Sequence, residues 1–558
     1  MLRHVPLLTL VVMLGPVVAG LWGTVLPAFG HLPGAGLTGP SLVAMRDLLD
    51  WPGLRQAVGL SVVPGLLATV LSLAIVVLVT AGWSGTRAFG VLQRLLAPIL
   101  SVPHAAAAFG LAFLIAPSGW ISRLFSPWLT GWERPPDLLV LQDPAGLTMT
   151  LGLVAKEVPF LLLMTLAALG QVRQEQRLKT ARTLGYDRVT GWLKTVFPAV
   201  YRQIRLPVYV VLAYSMSVVD VAMILGPTRP PSLSVQIVKW MGDPDLSLRL
   251  TAAAGAMLQL GLVVFALLLW RVGEALVARL GSRWIETGQR HFLDRQMRRA
   301  GIGLGALAAG VVMLAMAGLL VWSFAGFWSF PAVLPDSFGL RSWTRHGPGT
   351  ITALGETFLV AGLATVIALA LVLGCLEAEQ RTGRTITTRG LWLLYLPLLV
   401  PQTAFLPGLQ ILLLQAGADV GRLPVVFAHL VFVLPYVFLS LGDPWRAWDQ
   451  RNAVVAATLG ASPGRVFWRV RVPMLLRPIL TAFAVGMAVS VGQYLPTLLI
   501  GGGRVATLTT EAVALASGGD RRAIGVYGIM QTLAALLPFA LAIIVPTLVW
   551  RNRRGLHV

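Results

Sequence analysis

The sequence predicts an all-α integral membrane protein with about twelve transmembrane helices in two parallel six-helix repeats. Three observations predict it. The 558-residue chain is 56% hydrophobic and only 12% charged, far from the roughly 45–50% apolar, ~25% charged mixture of soluble domains. Apolar runs close to the ~20 residues that cross a bilayer recur along its whole length. And the passage AATLGASPGRVFWRVRVP at 456–473 restates ARTLGYDRVTGWLKTVFP at 181–198.

The runs centre on 5–29, 57–80, 91–115, 147–170, 206–226 and 251–270, then on 301–325, 355–376, 391–414, 424–441, 478–500 and 524–549. The first, LLTLVVMLGPVVAGLWGTVLPAFG, ends in a VVAG that resembles a cleavage site. It is too long for the apolar segment of a signal peptide and is expected to be a retained helix. The single cysteine, Cys375, excludes an intramolecular disulfide and a cysteine-built metal centre. The seven histidines are scattered without an i, i+4 pair, so no metal site is expected.

A net charge of +21, from 44 basic and 23 acidic residues, invites a nucleic-acid reading. In a membrane chain the placement of charge decides instead. With the N-terminus inside, the basic clusters 173–205, 271–299, 381–389 and 446–477 and the tail RNRR at 551–554 all fall on the cytoplasmic side. The basicity therefore reads as positive-inside topology. The expectation is a multi-pass protein of a bacterial inner membrane with both termini cytoplasmic, partnered by the lipid bilayer and by no nucleic acid.

The repeat extends beyond the opening passage. SVVPGLLATVLSLAI (61–75) matches TFLVAGLATVIALAL (357–371), PHAAAAFGL (103–111) matches PQTAFLPGL (401–409), and Pro159-Phe160 matches Pro435-Tyr436. The separation drops from 298 to 276 residues because LTGWERPPDLLVLQDPAG (129–146) occurs only in the first half. Residues 1–270 and 301–558 are thus two halves with the same six-span plan, and the basic stretch 271–300 is the expected linker. An even number of spans makes the repeats parallel.

The duplicated passage falls between the fourth and fifth spans of each half, on the cytoplasmic side. Both copies keep Ala181 and Ala456, Leu184 and Leu459, and Gly185 and Gly460, with Pro198 and Pro473 thirteen residues after the glycine. Each glycine suits a positive φ or a close approach between two short helices, and each proline suits the start of the next membrane helix. The bulky pairs Trp192-Leu193 and Phe467-Trp468, each followed by a basic residue, are expected to be exposed and to fit a groove in another protein. The competing reading is an amphipathic helix lying on lipid; duplication at equal depth favours docking.

On these residues the chain resembles the membrane subunits of binding-protein-dependent ABC importers, whose cytoplasmic loop carries E-A-A, three residues, Gly, and later Pro. Here the acidic position is Lys179 or Val454 and the second is Thr180 or Val455. Two fused permease halves are most similar to the ferric-iron and thiamine type. The resemblance implies a type I importer fold and a pair of coupling helices at Ala181, Leu184, Gly185, Trp192, Leu193 and Pro198 and at Ala456, Leu459, Gly460, Phe467, Trp468 and Pro473. It also implies two partners, a dimer of ATP-binding subunits and a periplasmic solute-binding protein. None of the four lysines follows a glycine, so a phosphate-binding Gly-Lys loop is lacking. ATP and magnesium are expected on the partner subunit, with no cofactor and no catalytic residue in this chain.

Ionisable groups at bilayer depth cost at least ~2.5–3.5 kcal/mol on insertion scales and mark candidate pathways. Lys156-Glu157 in the fourth span and Asp220 in the fifth are such groups, and Gln493-Tyr494 stands near the place of Asp220 in the second half. The resemblance implies that the fifth spans help form the translocation path. His104 and Gln402 follow Pro103 and Pro401 at matching sites, and with His429 they read as buried hydrogen-bonding groups. The expected function is alternating access driven by a separate ATPase, moving thiamine or ferric iron, with a small anion also compatible. The rival class is an ion-driven secondary transporter with two six-helix halves.

Overall fold

A computed structural model describes the chain except for Met1, Gly34, Ala35, Leu37, Thr38, residues 384–386, Asp419, Ser517 and residues 551–558. The RNRR tail therefore lies outside the described residues. Every regular element among the described residues is helical. The principal helices of the first half are α1 (Val5–Ala28), α2 (Leu54–Trp83), α3 (His104–Ile115), α4 (Leu147–Gln171), α5 (Phe197–Ser217) and α6 (Leu248–Glu286). Those of the second are α7 (Asp294–Phe324), α8 (Arg341–Thr382), α9 (Gln402–Gln415), α10 (Arg422–Arg446), α11 (Leu476–Val491) and α12 (Arg521–Val549). A helix satisfies its own backbone polar groups, which is what a lipid-spanning segment requires.

Nine helices among the described residues are long and apolar enough to cross a membrane, or eleven if each of two sharply bent pairs is one span. The expected run at 206–226 is the one not counted. Its helix begins early, at Phe197, and carries Arg202 and Arg205; extended backbone at Val218 then separates α5 from a short helix, Asp220–Leu225.

Breaks recur at corresponding places. The run at 91–115 divides into Arg87–Ser101 and α3, and the run at 391–414 into Thr388–Leu399 and α9. The residues between are Val102 (ψ 122°) and Val400 (ψ 123°), each before a proline, which biases its neighbour toward extended backbone and lacks an N–H. The second of these breaks bends the chain by 84°. Likewise α5 gives way to Asp220–Leu225 and α11 to Leu495–Gly501.

The first helix of each half packs on the other half. Helix α1 lies along α9, and α7 lies against α2 and α3. Small residues allow the close approach. Gly20 and Gly408 leave no room for a side chain between the α1 and α9 backbones, a Cβ at Gly110 would meet the Ala315 carbonyl at 2.6 Å, and one at Gly301 would meet the Leu78 carbonyl at 2.7 Å. Helix α6 continues to Glu286 and α7 begins at Asp294, so most of the stretch 271–300 is helix and only 287–293 is irregular.

Candidate functional site

The duplicated passage folds twice as helix, turn, helix. In the first copy, helix Gln174–Thr183 and helix Arg188–Thr195 flank Gly185, whose φ is +82°; in the second, Arg451–Thr458 and Pro463–Val466 flank Gly460, at +79°. Only glycine adopts that conformation without strain, so both glycines do what their position in the motif requires. Leu184 and Leu459 stand exposed at the tips. Pro198 is the second residue of α5, as expected. Pro473 lies in the short helix Val472–Met474, followed by a 75° bend into α11.

Beyond the turns the copies differ. Trp192 is fully buried and Leu193 half-buried, whereas Trp468 is exposed and Phe467 half-buried. The expected exposure of both bulky pairs is thus corrected for the first copy. Helix Arg188–Thr195 packs on α2, α5 and α7, with Trp192 beside Phe197, and the stretch 284–298 also bonds to it. The Arg290 carbonyl accepts from Asp187 N–H (3.1 Å), and His291 Nδ1 meets Asp187 Oδ2 at 2.7 Å. The Asp294 carboxylate accepts from Val189 N–H (2.5 Å), and Lys194 donates to the Trp284 and Gln289 carbonyls (2.9 Å each). Ala181 is buried too, while Ala456 is only half-buried. In the second copy, Val454, Val455 and Leu459 are exposed. What holds it is lower down: Phe467 packs beside Trp445, and Arg471 pairs with buried Glu377 and stacks on Trp448 at 4.5 Å.

Within the helices, the polar residues collect at the breaks. The Lys156 ammonium donates to the carbonyls of Ile99 (3.0 Å) and Val102 (2.6 Å), capping the end of helix Arg87–Ser101. Glu157 turns the other way, toward His104 Nε2 at 3.5 Å. The His104 ring lies 5.0 Å from that of Tyr214. Buried Asp220 opens the helix after the α5 break, within electrostatic reach of His104, Tyr214 and Tyr494. In the second half Gln402 donates to Gln493 (3.3 Å), and the Tyr494 hydroxyl crosses to the Met223 sulfur at 3.5 Å. Tyr436 stands within electrostatic reach of Glu157. His429 is buried and satisfied by Ser490 (2.7 Å) and Thr497 (2.8 Å), as expected of a packing group.

No protein-family model matches the chain. Across 552 residues, however, it is 33% identical to the inner membrane ABC transporter permease protein YnjC of Escherichia coli K12, covering 96% of this chain and 98% of that protein. The chain belongs to the ABC transporter permeases. Shorter stretches of the permease match others. It is 41% identical over 80 residues to the molybdenum transport system permease protein ModB of Mycobacterium tuberculosis, covering 14% of this chain and 30% of that one. It is 27% identical over 169 residues to the putrescine transport system permease protein PotI of Escherichia coli K12, covering 28% and 59%.

Sequence reasoning missed the residues that seat the two loops. Asp187, His291 and Asp294 act across more than a hundred positions, and no spacing rule links them. The Glu377–Arg471 pair had a visible trace, an acidic residue at the end of a long apolar run, but its partner stands 94 positions away. Among the described residues no group of His, Cys, Asp and Glu could hold a metal ion.

Proposed function

We propose that the permease forms the whole transmembrane channel of an importer in the bacterial inner membrane. Its two turns at Gly185 and Gly460 dock a dimer of separate ATP-binding subunits, and a periplasmic solute-binding protein delivers the solute. The observation that carries the reading is the paired helix, turn, helix at +82° and +79°. Two docking turns of the same geometry suit a two-fold partner. Closure of that partner on ATP would move both loops, and the loops would move the broken helices α5 and α11 that follow them.

The solute is a small cation of the thiamine or ferric-iron kind. Glu157 and Asp220 lie near the breaks with Tyr214 and Tyr494, while the one lysine nearby, Lys156, is occupied by backbone carbonyls. Glu157 meets the His104 imidazole at 3.5 Å and Asp220 has no salt bridge among the described residues, an arrangement that favours a cation, to which tyrosine faces add cation–π attraction. His104 and Gln402, at matching places after their prolines, would line the same path.

The test is uptake by reconstituted vesicles holding the permease with an ATP-binding subunit and a periplasmic solute-binding protein, with radiolabelled thiamine or ferric iron outside. Uptake that requires ATP and is insensitive to ionophores is the expected result. Uptake that runs without an ATPase and collapses with the ion gradient would support the secondary-transporter reading instead.

A further inference from the structure

A cavity of about 490 Å³ opens where the C-terminus of α4, the start of helix Gln174–Thr183 and the first turns of α5 meet. Arg173, Arg177 and Arg202 line it together with Gln171, Gln176 and Gln203. No carboxylate lines it, and among the described residues none of the three arginines takes part in a salt bridge. Glu175, adjacent in sequence, is exposed and not part of the lining.

Two of the arginines are positioned by the backbone around them. Arg177 donates to the Thr195 carbonyl (2.8 Å) and Arg202 to the Pro198 carbonyl (3.2 Å). Each bond uses one N–H of a guanidinium that has five, so most donors are left for another acceptor. Arg173 is one of the few non-glycine residues with positive φ, at 51°, a conformation that costs a side chain roughly 1–2 kcal/mol. Three like charges held around one cavity repel each other unless an anion sits among them.

The second half offers an internal control. Shifted by the 275 positions that separate the duplicated passages, Arg173 corresponds to Trp448 and Arg177 to Asn452, while Arg202 keeps a basic counterpart in Arg477. Trp448 is buried with the Arg471 guanidinium stacked over it at 4.5 Å, and Asn452 bonds back to the Asp449 carbonyl. The second half thus keeps one of the three arginines and has a buried indole at the position of Arg173, where the first half has an arginine lining the cavity.

We propose that this cavity is a binding site for a phosphoryl oxyanion, supplied by the headgroup of an anionic phospholipid. Guanidinium forks match phosphate geometry, and basic pockets between helix ends at the cytoplasmic surface suit anionic headgroups. The site lies at the end of α4, a helix long and apolar enough to span a membrane, where a bilayer around that helix would bring its lipid phosphates. The inference needs the membrane placement of α4 and α5 but neither the solute nor the ATP-binding subunit.

The experiment is native mass spectrometry of the full chain released from nanodiscs of phosphatidylcholine with phosphatidylglycerol. The parent is compared with the R173Q/R177Q/R202Q triple variant, with the corresponding lysine triple, and with R279Q/R295Q/R299Q, which removes equal charge from exposed positions elsewhere. Retention of phosphatidylglycerol should weaken about fivefold for each lining arginine removed, recover partly in the lysine triple and stay at the parent level in the distant triple. A second arm measures thermal midpoints in phosphatidylcholine alone with added inorganic phosphate. Stabilisation of the parent but not of the lining triple there identifies free phosphate as the source of the same group. If all four proteins retain phosphatidylglycerol equally and inorganic phosphate stabilises none of them, the proposal is overturned.

Discussion

The two copies of the helix, turn, helix share a sequence pattern and a turn geometry, yet the first is seated in its own chain and the second stands clear. The first is covered by the segment that joins the halves, through Asp187, Val189 and Lys194. The second offers Val454, Val455, Leu459 and Trp468 to its surroundings and is tied through Ala453, Phe467 and Arg471. A motif thus specifies the turn, while neighbours far away in sequence decide how much of it a partner can reach.

The widest contrast lies in the two tryptophans that follow the turns. Trp192→Ala removes a fully buried side chain and should lower stability by about 3–5 kcal/mol. Trp468→Ala removes an exposed one and should stay within about 0.5 kcal/mol. Thermal unfolding of both variants in detergent measures the gap, and equal losses would dissolve the comparison. Next comes the base of the second loop. Arg471→Ala strands the buried Glu377 and should cost about 3 kcal/mol, at the lower end for such a loss because Arg381 also reaches Glu377 at 2.7 Å.

At the turns themselves the copies should behave alike. A Cβ at Gly185 would meet Arg290 only at 3.5 Å, and one at Gly460 would meet nothing within 4 Å. The penalty for Gly185→Val or Gly460→Val is therefore conformational, roughly 1–3 kcal/mol in each case, and circular dichroism melts should show similar shifts. The smallest effect on global stability is expected at the strap. Asp294→Ala removes one charge-assisted bond to Val189 N–H and should loosen the first loop locally while leaving the thermal midpoint almost unchanged. Hydrogen exchange should quicken over 187–195 and stay unchanged over 451–471; quickening in both loops would mean that the strap does not act on the first alone.

Much of this was legible from residues. Composition announced the membrane, and Gly185 and Gly460 suited positive φ, but the runs 91–115 and 391–414 read as continuous although Pro103 and Pro401 stand at their breaks. The break at Val218 carried no comparable sign, because two β-branched valines are at home in a membrane helix as well as in extended backbone. The exchange of α1 and α7 between halves was hidden as well: Gly20, Gly110 and Gly301 look like ordinary small residues of apolar runs until the opposing backbone is in place. Trp192 was misjudged for the same reason. Its helix is amphipathic by pattern, and elements distant in sequence, α2 and α7 among them, decide which face is covered. Among the polar residues, the pair Lys156-Glu157 showed that something lay at bilayer depth. Which of the two faced His104 depended on the break beside Lys156.

The most direct measurement is how much ATP-binding subunit co-purifies with permeases altered at the two tips. Leu184→Asp and Leu459→Asp place a charge at equivalent exposed positions without touching the core. The account predicts that Leu459→Asp lowers association about tenfold, equivalent to about 1.4 kcal/mol, that Leu184→Asp lowers it less, and that the double variant retains almost none. Parent-level association in all three, with ATP-dependent transport intact, would contradict the assignment of these turns as the docking elements.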